Sequence, residues 1–207
     1  MTALSERFTD AVDYARTAHA DQVRKGSGIP YLYHLLGVAS LVLEFGGDED
    51  QAVAGLLHDA IEDCGVEHEA RIRAAFGERV AAIVVACTDG TAERKAGHTD
   101  PEARKRDWRA RKHAYLAHLI HASEDALLVS ACDKLHNARA IVQDMENPAV
   151  GSAVFERFTG GCDGTLGYYE SLARIFAERK APTAAVFETV VAHMHDLAKV
   201  GSRTALQ

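Results

Sequence analysis

Apolar residues recur at helical spacing along nearly the whole chain. Phe8, Val12, Ala15 and Ala18 stand three or four positions apart and predict a first helix ending near Val23. The segment Arg24–Pro30 breaks it, because Gly26, Gly28 and Pro30 together cannot continue a helix. A second helix is predicted from about Tyr33 to Phe45, closed by Gly46 and Gly47, and a third begins behind Asp48 as N-cap and carries Val53, Leu56, Leu57 and Ile61. Glu67–Phe76 and Glu78–Cys87 read as two shorter helices split at Gly77, and the polar stretch Thr88–Thr99 reads as a mobile loop. Asp100-Pro101-Glu102 combines an N-cap, a first-turn proline and an acid, so a helix should run from there to about His121. Further helices are expected over Glu124–Met145, Ala149–Phe158, Thr165–Arg179 and Thr183–Val200. No long alternating strand pattern, internal repeat or low-complexity segment interrupts them. The expected fold class is all-α, a bundle of about ten helices.

Composition narrows the class. The 207 residues are 47% hydrophobic and 26% charged, enough for one sizeable core, and the length favours a single domain over residues 1–207. No apolar run reaches membrane-span length, and Met1–Asp10 has no signal-peptide apolar region, so a soluble, cytoplasmic protein without membrane partners is expected. A formal charge of −7 disfavours non-specific nucleic-acid binding. Cys64, Cys87, Cys132 and Cys162 are scattered without a paired spacing, which fits reduced thiols rather than a zinc ribbon or a disulfide scaffold.

Four residues stand out as candidate metal ligands: His34, the adjacent pair His58-Asp59, and Asp133. On a continuous helix His58/Glu62 and Asp59/Asp63 are i,i+4 pairs sharing one side, and the two aspartates repel until a cation relieves them. Asp133 and Asn137 form another such pair, with Asp133 set close behind the apolar Leu127-Leu128-Val129, where a charge needs a partner. Two imidazoles and two carboxylates, completed by water, suit an octahedral Mn²⁺ or Fe²⁺ better than a closed structural zinc site. Open, water-bearing positions are what a hydrolase uses.

Other motifs read more plainly. His195-Asp196 repeats the dipeptide without a following acidic pair and reads as surface or capping residues. His68-Glu69 lacks the second histidine of a zincin, and Gly26-x-Gly28 lacks the third glycine and the strand of a dinucleotide loop. His118 and His121 read as an exposed helical face. The run Arg104, Lys105, Arg106, Arg109, Arg111 and Lys112 reads first as a solvated face, with a phosphate grip by Arg109 or Lys112 as the functional alternative. Tyr168-Tyr169 reads first as core, second as a nucleotide-pocket wall.

Taken together, Arg24-Lys25-Gly-x-Gly-x-Pro30-Tyr31-x-x-His34, Leu56-Leu-His-Asp-Ala-Ile-Glu-Asp63 and Asp133-Lys-Leu-His-Asn137 resemble, in order and spacing, the hydrolase domain of the RelA/SpoT family. The similarity covers about residues 8–147 as a motif-bearing core, with 148–207 as a helical extension, and the length resembles the small alarmone hydrolases, stand-alone HD-fold domains with no room for a synthetase domain or regulatory tail. The resemblance implies a Mn²⁺-dependent 3′-pyrophosphohydrolase of guanosine tetra- and pentaphosphate. By position, His34, His58, Asp59 and Asp133 would hold the metal, and Glu62 and Asp63 would orient or deprotonate the attacking water. Arg24, Lys25, Lys134 and Asn137 would contact the substrate. Ala140 stands where long members of the family commonly carry threonine, and Lys134 replaces a frequent arginine, which keeps the charge and loses the fork geometry. A phosphatase or pyrophosphohydrolase of another nucleotide (NADPH or an adenosine 3′-diphosphate analogue) and a non-catalytic nucleotide sensor are the competing readings.

Overall fold

The computed structural model describes residues 3–88 and 100–207, and among these the chain is helical throughout, with no strand beyond one isolated bridge between Val23 and Pro30. The chain divides into two compact units, Met1–Gly97 with Ala122–Asp133, and His98–His121 with Lys134–Gln207. The expected loop over Thr88–Thr99 falls, but for Thr88, outside the described residues. No helix among the described residues is long and apolar enough to cross a membrane.

The first unit opens with α1 (Glu6–Ala18), whose N-cap Ser5 accepts from the Arg7 N–H. Its inward face is built from Ala11 and Ala15, and such small side chains let it lie close along α3 (Glu49–Leu57). The helix stops well short of Val23, because His19 leaves helical geometry and a turn carries the chain from His19 to Gln22. α2 (Leu32–Glu44) buries Leu35, Val38, Ala39, Leu41 and Val42 against α3, and a Cβ added at Gly55 would stand 3.3 Å from the Ala39 Cα. Glycine there permits the close approach of the two helices. α3 starts with a capping box in which Asp48 accepts from the Gln51 N–H and the Gln51 side chain accepts from the Asp48 N–H. Gln51 also donates to Asp125, while Arg79 joins Asp48, Asp50 and Asp125. α4 (Glu67–Phe76) and α5 (Glu78–Cys87) keep the predicted bounds, split at Gly77 with φ +90°.

One prediction here is corrected. The apolar pattern predicts a third helix continuing through Ile61 to Asp63, but α3 ends at Leu57, and a π-helical turn spans Ala60–Cys64, stopped by Gly65 at φ +128°. Such turns arise where side-chain demands outweigh regular backbone geometry, and they concentrate at functional sites.

In the second unit, α6 (Pro101–Leu119) begins as its sequence signal predicts, with Asp100 accepting from the Glu102 and Ala103 N–H groups. Trp108 lies against Gly160 and Gly164, where added Cβ atoms would come within 2.6 and 3.1 Å of its ring. Arg104, Lys105, Arg106 and Arg109 are exposed, Arg111 pairs with Asp107, and Lys112 places its Nζ 4.9 Å from the Tyr168 ring centroid. α7 (Glu124–Glu146) contributes to both units, Asp133 being its last residue in the first. The helix expected over Ala149–Phe158 is a 3₁₀ segment, Gly151–Arg157. α8 (Gly161–Glu178) then packs with α9 (Ala184–Ala198). Tyr168 and Tyr169 are buried, the latter stacked on Phe187. None of the four cysteines is paired in a disulfide; Cys87 and Cys132 are buried and the other two half-buried.

Candidate active site

The site forms within the first unit, where three elements end or turn together. α2 places His34 on its inner face, α3 delivers His58 at its C-terminus with Asp59 next in line, and α7 supplies Asp133. Both histidines are sealed from solvent, at 0% and 1% exposure, and Asp133 is buried. The His34 Nε2 lies 3.2 Å from Asp133 Oδ1 and 3.7 Å from Asp59 Oδ2; the His58 Nε2 lies 3.1 Å from Asp59 Oδ2 and 3.6 Å from Asp133 Oδ1. On its other side His58 donates from Nδ1 to the Gly55 carbonyl at 2.9 Å, which fixes the ring and aims Nε2 at the carboxylates.

These separations fit a metal ion. Metal–ligand bonds of about 2.1 Å put neighbouring donor atoms about 3.0 Å apart at a right angle and about 3.4 Å apart at a tetrahedral angle. Two buried imidazole nitrogens beside a buried and a partly exposed carboxylate also favour a counter-cation. Burial alone disfavours a charge on His58, yet Asp59 and Asp133 more than offset it and raise its pKa well above the ordinary range. Asp59 shows the reciprocal effect: burial raises its pKa, but the His58 charge and hydrogen bond bring it down overall. His34 goes the other way, lowered chiefly by burial. A divalent cation would answer the same two carboxylates that raise the pKa of His58.

Around this core stand residues to which the sequence alone assigns no role. The Tyr31 hydroxyl donates to Asp59 Oδ2 at 2.7 Å, and burial, followed by the charges of Asp59 and Asp63, raises its pKa far beyond any physiological range. Gln22 donates from Nε2 to Asp63 Oδ2 at 2.8 Å, and His19 stands 2.6 Å from the Gln22 Oε1. Asp59 and Asp63, expected as a repelling helical pair, are thus each held by a neutral donor, one from the segment entering α2 and one from the turn that follows α1. Only Tyr31 has a visible signal, as part of the Pro30-Tyr31-x-x-His34 spacing.

Glu62 is half-buried on the π turn beside Asp63. Arg24 is half-buried with its Cζ 5.8 Å from the Tyr31 ring centroid, and Lys25 is exposed in the adjoining loop. Lys134 and Asn137 follow Asp133 on α7, are half-buried and belong to the second unit, where Lys134 Nζ lies 5.1 Å from the Tyr115 ring centroid.

The profile of the HD domain family matches residues 11–159, a span that contains His34, His58, Asp59, Glu62, Asp63 and Asp133, and the chain belongs to that family. It is 37% identical over 142 residues to the guanosine-3′,5′-bis(diphosphate) 3′-pyrophosphohydrolase MESH1 of Xenopus tropicalis, covering 67% of this chain and 72% of that one. A probable guanosine-3′,5′-bis(diphosphate) 3′-pyrophosphohydrolase of Synechocystis is 34% identical over 130 residues, 62% of this chain. This chain spans only 16% of that relative's length, and 18% and 12% of similar ones from Mycoplasma pneumoniae and Aquifex aeolicus. Among solved structures, the fold is shared with a metazoan ortholog of SpoT that hydrolyses ppGpp (TM-score 0.58, 24% identity, covering 86% of this chain and 98% of that one). It is also shared with a Listeria monocytogenes protein (TM-score 0.61, 24% identity, covering 79% and 99%).

Proposed function

We propose that this chain is a cytoplasmic, metal-dependent hydrolase that removes the 3′-pyrophosphate from guanosine 3′,5′-bis(diphosphate) and the corresponding pentaphosphate, releasing GDP or GTP and pyrophosphate. The observation that carries the reading is the compact cluster of His34, His58 and Asp59, with the Asp133 carboxylate 3.2 Å from the His34 ring and 3.6 Å from the His58 ring, beside the acidic pair Glu62-Asp63. The likeness to the MESH1 proteins supports the choice of substrate.

Mn²⁺ held by these four side chains would supply Lewis acidity and a more acidic water. Asp63, assisted by Glu62, accepts a proton from the attacking water. Its oxygen adds to the phosphorus bonded to the 3′-oxygen, the P–O3′ bond breaks, and a proton ends on the 3′-hydroxyl of the nucleoside product. Arg24 and Lys25 answer the polyanion's charge, with Arg24 also offering a flat guanidinium face to the base, while the family resemblance alone assigns substrate contacts to Lys134 and Asn137.

The test is a product assay on the purified chain with guanosine tetraphosphate, with Mn²⁺ and with excess chelator, resolved by anion exchange. GDP and pyrophosphate that vanish on chelation are the expected result. Orthophosphate in place of pyrophosphate would transfer the chain to the phosphatases. No turnover of guanosine, NADPH or adenosine substrates under any metal would overturn the catalytic reading altogether.

A further inference from the structure

His19 and Gln22 belong to none of the metal ligands or substrate contacts assigned above, yet they make a two-step hydrogen-bonded bridge into the acidic pair. Gln22 presents Nε2 to Asp63 Oδ2 at 2.8 Å and Oε1 to His19 Nδ1 at 2.6 Å. The direction of this bridge is chemically determined. An ionised carboxylate only accepts, so the amide must face Asp63 with its NH₂, and His19 must then carry its proton on Nδ1 to meet the amide oxygen. A flipped amide would set oxygen against carboxylate. His19 is itself immobilised: it is buried, it stacks on Tyr31 at 5.3 Å with a 25° tilt, and its ring nitrogens stand 3.5 and 3.6 Å from the Cys64 Sγ. That thiol is in turn tied to the Ala18 carbonyl at 3.3 Å.

We propose that His19 and Gln22 are positioning residues, a clamp that holds the Asp63 carboxylate in the orientation from which it takes the water's proton. The inference rests on the proposed hydrolytic role of Asp63. The need for a clamp follows from the local backbone: Asp63 sits half-exposed on a five-residue π turn, where regular α-helical side-chain spacing does not set its direction. A base held in place gains rate through orientation, so removing the clamp acts on kcat and spares both ground-state binding and the metal.

The test uses Gln22→Leu, which keeps bulk and removes the donor, and Gln22→Glu, which keeps size and the His19 contact but turns a carboxylate on Asp63. For Gln22→Leu, kcat should fall about tenfold, a part of what general base catalysis supplies, with KM and the Mn²⁺ dissociation constant (by calorimetry) within about twofold. Gln22→Glu should lose more. His19→Phe, which keeps the stack on Tyr31, should lose less, and combined with Gln22→Leu it should add nothing further, since both act along one path. A kcat within about twofold of the parent in Gln22→Leu, or additive losses in the double variant, overturns the clamp, as does a drop in melting temperature with kcat unchanged. Asp63→Asn separates the two ideas: full turnover in that variant overturns the role of Asp63 itself, whereas its inactivity with an indifferent Gln22→Leu overturns the clamp alone.

Discussion

The chain contains the dipeptide His-Asp twice, and the two copies meet opposite fates. At 58–59 both side chains turn toward one point, where they find a second imidazole and a second carboxylate. At 195–196, in the last turn of α9, the histidine is buried and the aspartate exposed. The sequence reading of that second copy, as surface or capping residues, is right for Asp196 and wrong for His195, at 3% exposure. The charges around His195 answer one another: Glu170 takes Arg174 and Arg203, and Arg203 also forks onto Glu188. Burial first, and then Arg203, lower the pKa of His195 and hold it neutral. The contrast teaches that the dipeptide is not the site. Around the second copy arginines balance the acids; around the first, acids converge on imidazoles, an arrangement that the proposed metal ion would complete.

The sharpest way to break the comparison is to delete one member of each copy. His58→Ala or Asp59→Ala should lower turnover by about a thousandfold or more and abolish tight Mn²⁺ binding, with helical content by circular dichroism preserved. His195→Leu should leave turnover and Mn²⁺ affinity unchanged; substantial loss of either would show the copies to be less different than their surroundings imply. A smaller effect sharpens the first half of the contrast. Tyr31→Phe removes the hydroxyl on Asp59 and should weaken Mn²⁺ about tenfold, as loss of a group orienting a metal ligand typically does. Unchanged affinity by calorimetry would reduce Tyr31 to packing.

The smallest effect concerns pH and the second copy. Because the folded-state pKa of His195 lies below its unfolded value, the unfolded chain binds a proton there that the native chain refuses. Stability should therefore fall as pH drops below about 6.5, the unfolded histidine value. His195→Leu should remove this component, so the urea midpoint of the variant relative to the parent should be higher at pH 5 than at pH 8. An equal difference at both values would mean that His195 titrates in the fold as it does in the coil.

Much of this is legible in the residues themselves. Asp48, Gly77 and Asp100-Pro101 mark helix starts and stops through local chemistry that tertiary structure has no reason to override, and the structure follows them. The ligand-type residues stand out by residue type and because the short motifs that carry them resemble those of a known family; no local pattern brings Asp133 to His34. The π turn is not legible, since the apolar pattern through Val53, Leu56, Leu57 and Ile61 continues helically across it. His19 and Gln22 stay hidden for another reason. The Gln22 bond runs to residue 63, about forty positions away, and no local pattern encodes such a pairing. The burial of His195 escapes the sequence because the tail that shares its surroundings, through Arg203 and through Leu206 bonded to Gly167, lies beyond the helix that carries it.

The segment between α1 and α2 has a consequence for how such a protein changes over generations. The loop is closed at its base by the Val23–Pro30 bridge, made by Arg24 N–H on the Ile29 carbonyl at 2.8 Å and Tyr31 N–H on the Gln22 carbonyl at 2.9 Å. Its tip, Lys25 to Ile29, is exposed, with Gly26 and Gly28 at φ +82° and +69°. Below the closure lie the residues that touch Asp59 and Asp63; above it lie side chains turned to solvent, where a ligand can meet them. On the proposed function, a change of charge or length at the tip would leave the contacts to Asp59 and Asp63 beneath the closure in place. Such an arrangement would let selectivity vary apart from the chemistry.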